Sequence, residues 1–151
     1  MVGRFVYRLV IYVTLFAFAL QGCRGQNFVA DEELMPYVHE YMDFLKKNRI
    51  GMEFQTKFVV AFNPFLDTFR FAGYAEGMDK DKEVNVYVSK LVWNRSNEGQ
   101  KRWLIFHELS HDIFNLRHGT CELMKPQMDI KDNMETFEIA KKELAEVLKN
   151  K

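Results

Sequence analysis

The sequence has few cysteines, no excess of charge and no repeated or low-complexity segment. Two cysteines among 151 residues exclude a disulfide scaffold, so the fold must rely on its hydrophobic core. Basic and acidic residues number 21 each, and this balance gives no electrostatic basis for binding nucleic acid or an anionic membrane surface. Hydrophobic residues make up 48% and charged residues 28%, which is typical of one globular domain.

The sequence also lacks a long apolar run, but residues 1–22 differ in composition from the rest. Arg4 and Arg8 precede an uncharged, mainly apolar run at residues 9–20, and no acidic residue occurs before Asp31. Twelve residues are short for a membrane span, which needs about 20. The pattern predicts that residues 1–22 are a secretory signal peptide. The alternative is a retained anchor helix.

The apolar run ends in the sequence LQGC. Leu20, Gly22 and Cys23 resemble the lipobox of bacterial lipoproteins, in which the cysteine is diacylated and becomes the new N-terminus. The resemblance implies a lipidated Cys23, a lipid-anchored tether at residues 23–30 and a location in the bacterial cell envelope, with the outer membrane favoured over the inner. The alternative is an ordinary cysteine after a cleaved signal peptide. A lipidated Cys23 leaves Cys121 without an intramolecular disulfide partner.

Residues 31–151 are predicted to form one α+β domain. Apolar residues at spacings of three and four predict a helix over 31–48, capped by Asp31. Strands are predicted at 54–62, 68–77 and 83–90, with a turn at 63–67. A further helix is predicted from about Glu98 to Phe114, and another near the C-terminus. The order helix, strands, helix, loop, helix is typical of α+β folds.

Capping pairs and alternation refine these element predictions. Asn97 with Gln100 is predicted to begin the first of the two later helices, and Asp132 with Glu135 the second. The clearest strand signal is alternation at residues 84–88.

Three of the four histidines lie within HELSHDIFNLRH, residues 107–118. His107 and His111 are four apart, so on a helix they share one face and can bind one metal ion. Glu108 is rotated to the side, where a carboxylate can reach a metal-bound water without ligating. This is the chemistry of the H-E-x-x-H pattern, which supplies two ligands and a general base. A catalytic zinc also needs a third protein ligand and an open position.

His118 is the candidate third ligand. In an unbroken helix it would lie about 16 Å from His107 along the axis, too far to share an ion. The helix must therefore end, and Asn115 offers a place because asparagine tolerates the left-handed conformation that ends helices. We predict that the helix ends between Ile113 and Leu116 and that the three imidazoles converge.

HELSHDIFNLRH resembles the elongated zinc motif of the metzincins, H-E-x-x-H-x-x-G-x-x-H, and CELMKP at residues 121–126 resembles their Met-turn. Two features depart from the family: the second and third histidines are separated by six residues instead of five, and Asn115 replaces the glycine. The sequence is more similar to a group of small bacterial lipoproteins described as zinc-binding metallopeptidases, whose motif has the six-residue gap.

The resemblance implies a small metzincin-like domain, with a mixed sheet of short strands, an active-site helix and a C-terminal helix. It further implies a zinc metalloendopeptidase that hydrolyses peptide bonds, with one Zn²⁺ on His107, His111 and His118 and with Glu108 as general base. Met124 would be the Met-turn residue. The predicted substrate-binding edge strand comprises Val84, Asn85, Val86, Tyr87 and Val88. The expected partners are a peptide or protein substrate and, through the lipid, the membrane. Nucleic acid is not an expected partner, and the expected state is a monomer.

Two other interpretations remain open. One is a non-catalytic envelope binding module with a structural or vestigial zinc site. A relative that has lost activity usually lacks the glutamate or a ligand, and this sequence has all four residues. The other is an α+β lipoprotein whose histidines bind no metal. Met124, considered alone, would be an ordinary core residue.

Overall fold

The computed structural model of the protein describes residues 27–53, 55–69, 71–76 and 82–151. The predicted signal peptide and Cys23 lie outside these residues. The described part has five α-helices and a four-stranded mixed sheet, which confirms the α+β class. None of its helices combines the length and the apolar character needed to cross a membrane.

The strands are β1 (Asn27–Ala30), β2 (Lys57–Phe62), β3 (Gly73–Glu76) and β4 (Glu83–Val88). Their order in the sheet is β1-β2-β4-β3, with β1, β2 and β4 parallel and β3 antiparallel to β4. The predicted tether at 23–30 overlaps β1. Residues 27–30 are part of the sheet because their backbone pairs with residues 57–60 of β2.

The predicted edge strand at residues 84–88 is not an edge strand, and this prediction is wrong. β4 is paired with β2 on one side and with β3 on the other, so its backbone has no free edge for a peptide. Its residues Val84, Val86 and Val88 are fully buried and Asn85 is nearly so. Extensive burial of this kind is typical of a central strand. In the described sheet β1 and β3 are the two edge strands, and β3 is the one beside β4.

The helices are α1 (Met35–Lys47), α2 (Pro64–Phe69), α3 (Lys90–Arg95), α4 (Glu98–Phe114) and α5 (Met134–Lys149). The sequence predicted α1, α4 and α5. It predicted a turn where α2 forms, and it missed α3. Pro64 is compatible with the first turn of a helix, and the Asn63 side chain accepts the backbone N–H of Phe65 at 3.0 Å. Ser89 caps α3 in the same way.

The helix caps agree with the sequence prediction at α4 only. Asn97 and Gln100 form the predicted capping box there. Asp31 does not cap α1, because the helix begins at Met35; its carboxylate accepts the N–H of Phe62 at 2.6 Å. Asp132 does not cap α5 either, because Asn133 makes the capping box with Thr136.

Helix α4 lies in the centre of the core, between the sheet and the helices α1 and α5. Phe106 packs edge-on against Tyr41 of α1 and Phe137 of α5, with ring centroids 4.9 and 5.0 Å apart. The Tyr41 hydroxyl lies 3.1 Å from Ser110 Oγ, so this buried polar pair is satisfied. Helix α4 is therefore held from both sides, which fixes the position of the residues on its remaining face.

Candidate metal centre

Helix α4 ends where the sequence predicted. Phe114 is its last residue, and Asn115 follows in the left-handed conformation with φ 48° and ψ 42°. The backbone N–H groups of Asn115 and Leu116 both bond to the carbonyl of Ser110, which satisfies an acceptor at the helix end. The chain then reverses and brings His118 back towards α4.

The reversal places His107, His111 and His118 together. Nε2 of His107 lies 2.9 Å from Nε2 of His111 and 3.2 Å from Nε2 of His118. The three ligand nitrogens all lie within 4.8 Å of one another. Zinc–nitrogen bonds of about 2.1 Å in a tetrahedral site separate the nitrogens by about 3.4 Å. Small side-chain adjustments would therefore suit one ion, and the predicted convergence is confirmed.

Carbonyl oxygens orient the two histidines of α4. Nδ1 of His107 donates to the carbonyl of Leu123 at 2.9 Å, and Nδ1 of His111 donates to the carbonyl of Leu116 at 2.5 Å. A carbonyl only accepts, so both Nδ1 atoms carry the proton and both Nε2 atoms present a lone pair. Lone pairs 2.9 Å apart repel unless a cation lies between them. Metal-binding histidines have this outer hydrogen-bond pattern.

The protonation state of the histidines suits metal binding. Burial lowers the pKa of His107 to about 4, and burial also lowers the pKa of His111. Both rings are therefore neutral near pH 7. A metal ion binds neutral imidazole, so it has no proton to displace from either ring at that pH.

Glu108 is buried beside His107, with 7% of its surface exposed. Burial and, to a smaller extent, the negative charge of Asp112 together raise the pKa of its carboxyl to about 8. On β3, Gly73 leaves room for it. A Cβ at Gly73 would lie 2.5 Å from Glu108 Oε1, closer than real contacts allow. Gly73 was not among the site residues predicted from the sequence, although a glycine within a short strand is a signal that another group approaches closely.

The histidines and Glu108 line one cavity of about 750 Å³. Residues 73–75 of β3 form another wall, and residues 125–128 contribute a third. None of the residues predicted to bind substrate on the strand 84–88 lines this cavity. A three-nitrogen site open to a cavity of this size has space for a water and a substrate group at the remaining metal positions.

The segment after His118 supports the site through its backbone. The buried Met124 ends a short 3-10 turn, Glu122–Met124, and its carbonyl accepts the N–H of Gly119 at 3.0 Å. The carbonyl of Leu123 accepts from both His107 and Trp103. The turn that contains Met124 is therefore bonded directly to one of the three histidines.

The remaining candidates have other positions. Asp112 accepts the backbone N–H of Asn85 at 3.0 Å, which ties α4 to β4. Cys121 is buried, and burial raises the pKa of its thiol. Arg117 is exposed and lines the cavity, whereas His39 is exposed on α1, outside the cavity lining.

Comparison of the chain with models of protein families, with curated proteins and with solved structures finds no match. The chemistry of the site therefore follows from its own geometry. That geometry is a cluster of three histidines that could hold a metal ion.

Proposed function

We propose that the protein is a zinc-dependent metallopeptidase anchored in the bacterial cell envelope. The observation that carries the proposal is the convergence of three imidazole nitrogens beside a buried carboxylate in one open cavity. Three histidines with an open position are a ligand set that catalytic zinc sites use. Neighbouring Glu108 supplies the group that such a site needs for proton transfer.

The proposed mechanism assigns one task to each residue. Bound zinc would polarise the scissile carbonyl and lower the pKa of a water. His107, His111 and His118 hold the metal, and the carbonyls of Leu116 and Leu123 keep two of the rings in place. Glu108 accepts the proton from the attacking water and then delivers it to the nitrogen of the leaving amine. A nearby cation favours the carboxylate form that the first of these steps requires.

The metzincin resemblance agrees with the order of the elements. It implies an active-site helix, an edge strand beside the cleft, a Met-turn and a C-terminal helix. Helix α4 carries the motif, and β3 is an edge strand that lines the cavity. The turn at Met124 and then α5 follow α4 along the chain. The two departures in the motif concern the gap that contains Asn115. Asparagine in the left-handed conformation serves there in place of the family's glycine.

The envelope part of the proposal depends on residues 1–26, which lie outside the described residues. β1 begins at Asn27, four positions after Cys23. A lipid on Cys23 would therefore hold the domain close to the membrane surface, because the intervening chain spans at most about 14 Å. The expected substrate is a peptide or protein within reach of that surface.

Glu108→Gln tests the catalytic role. The variant should keep its fold and its zinc but lose peptide hydrolysis by about 10²- to 10⁴-fold, because only proton transfer is removed. Cleavage of a mixed peptide library, with and without a chelator, measures the loss. Glu53→Gln, at an exposed position, is the control that should retain activity.

Three outcomes would contradict the assignment. Loss of zinc from Glu108→Gln would make the residue a ligand, and unchanged cleavage would remove it from the mechanism. Wild-type protein that binds zinc but cleaves no peptide would leave the non-catalytic binding module as the function.

A further inference from the structure

An exposed apolar surface lies next to the cavity. Its five residues contribute no charge, and each is between 42% and 72% exposed. The members are Phe65, Phe69, Phe71, Tyr74 and Leu91. Soluble proteins rarely expose a contiguous apolar patch of several hundred Å² unless it binds something. We call this group the aromatic surface.

Hydrogen bonds bring the segments that carry these residues next to one another. Phe65 and Phe69 are four residues apart in α2, so they lie on one face. On another face of the same helix, the Asp67 carboxylate accepts the backbone N–H of Leu91 at 3.1 Å, which joins α2 to α3. Ser89 donates its N–H to the carbonyl of Ala72 at 2.9 Å. This bond places Ala72, the residue after Phe71, next to the start of α3.

The aromatic surface is continuous with the metal cavity. Phe71 and Tyr74 line that cavity together with the three histidines and Glu108. Tyr74 belongs to β3, one of the two edge strands of the described sheet. A chain that lies along β3 with one peptide bond at the histidines would therefore contact Phe71 and Tyr74 first, and Phe69 lies two positions before Phe71 at the end of α2.

We propose that the aromatic surface binds apolar side chains of the peptide substrate, so that the enzyme selects extended, apolar polypeptide segments. This inference rests on the proposed function of the cavity. Burial of aromatic rings supplies binding free energy without a charged partner. Folded proteins bury their apolar segments, so the preferred substrate is an unfolded or partly unfolded chain.

The position of the anchor disfavours a membrane as the occupant. β1 and β2 are parallel, so both strands begin at the same end of the sheet. Cys23 precedes β1, whereas α2 follows the far end of β2. Six residues of strand separate the two ends by about 20 Å. A lipid on Cys23 would therefore bring the opposite end of the sheet to the membrane.

Peptide binding tests the proposal. The probe is a nine-residue fluorescein-labelled peptide that alternates Phe or Leu with Ser, beside a counterpart in which Asn replaces every Phe and Leu. Affinity is measured by fluorescence anisotropy on zinc-loaded Glu108→Gln protein, which cannot consume the probe. Adding Phe65→Ser and Phe69→Ser should weaken binding of the apolar peptide by at least about tenfold. The polar peptide should bind weakly to every variant.

The matched control carries Ile130→Ser and Ile139→Ser, which replace two exposed isoleucines outside the cavity and the aromatic surface. This control should bind the apolar peptide with unchanged affinity. Equal affinity in the double phenylalanine variant would overturn the proposal. The proposal would also be overturned if the protein formed a concentration-dependent dimer, or bound phosphatidylglycerol vesicles, and the two phenylalanine substitutions abolished that association.

Failure of this inference and failure of the proposed function give different results. A wild-type protein that binds the apolar peptide through Phe65 and Phe69 but never cleaves it would keep the aromatic surface and remove the peptidase. Undiminished cleavage of the apolar peptide by a protein that carries only the two phenylalanine substitutions would keep the peptidase and remove the aromatic surface.

Discussion

At the scale of single residues, the candidate metal site depends on backbone carbonyls as well as on imidazoles. Leu116 and Leu123 fix the rings of His111 and His107 through their carbonyl oxygens, not through their side chains. Outer hydrogen bonds of this kind change metal affinity by about 10- to 100-fold in known sites. Loop movement at either leucine should therefore affect metal binding even when all three histidines are intact.

Gly73 is a positioning residue for Glu108. In Gly73→Ala the new Cβ would lie 2.5 Å from Glu108 Oε1 and 2.8 Å from its Cγ, so the carboxyl must move. We expect peptide hydrolysis to fall by about 100-fold, as when a catalytic group is displaced by about 1 Å, while zinc content is unchanged. Cleavage rates and metal content of the purified variant measure both effects.

Gly51→Ala is the matched control for Gly73→Ala, because a Cβ there meets no atom within 4 Å. It should retain full activity. Wild-type kcat in Gly73→Ala would show that Glu108 tolerates the displacement and would remove the positioning role of Gly73.

The convergence of the three histidines could be predicted from the sequence, whereas the groups that support them could not. Positions 107 and 111 share a helix face by helical geometry alone, and His118 can reach them only if the helix ends first. Leu116 and Leu123 contribute backbone carbonyls, which no residue pattern reports, and the glycine at position 73 indicates only that some other group approaches closely. Their roles depend on how separate segments pack against α4.

At the scale of elements, the end of α4 determines whether the third histidine reaches the site. Asn115 has φ 48°, which glycine adopts without strain and asparagine tolerates, whereas a β-branched residue does not. Asn115→Val should destabilise the protein by about 1–3 kcal/mol relative to Asn115→Gly and should weaken zinc binding, because His118 follows this turn. Chemical denaturation and zinc titration of the two variants check the difference.

Asn115→Gly should bind zinc as the wild type does. Equal stability and equal zinc affinity in Asn115→Val would show that the left-handed turn is not what delivers His118.

The sheet shows what alternation in a sequence cannot report. Residues 84–88 alternate between valine and larger polar or aromatic residues, so the strand itself was predicted correctly. Alternation does not distinguish an edge strand from a central one, because that depends on the strands that pair with it. The short edge strand Gly73–Glu76 gives a weaker signal, yet it is the strand that lines the cavity.

At the scale of the whole molecule, the proposed lipid anchor would hold the domain close to the membrane. If Cys23 carries lipid, β1 leaves only Arg24, Gly25 and Gln26 between the anchor and the sheet. Cys23→Ser should abolish lipid labelling and move the protein from the membrane to the soluble fraction. Without the lipid, cleavage of the signal peptide leaves the domain with no anchor. Metabolic labelling with palmitate and membrane fractionation measure the two effects.

Cys121→Ser is the control for the lipidation experiment, since Cys121 is buried in the folded domain. It should be labelled as the wild type is. A Cys23→Ser protein as membrane-bound as the wild type would indicate a retained anchor helix in place of the lipid.

Zinc binding by His118→Ala tests the central claim most directly. We expect the wild type to hold one zinc ion per chain against a competing chelator, as measured by mass spectrometry of the metal. His118→Ala should bind zinc at least about 100-fold more weakly, because two histidines on one helix form an incomplete site. His39→Ala, which removes the one histidine outside the cluster, should bind zinc as the wild type does. Wild-type affinity in His118→Ala, or no zinc in the wild type, would contradict the three-histidine site.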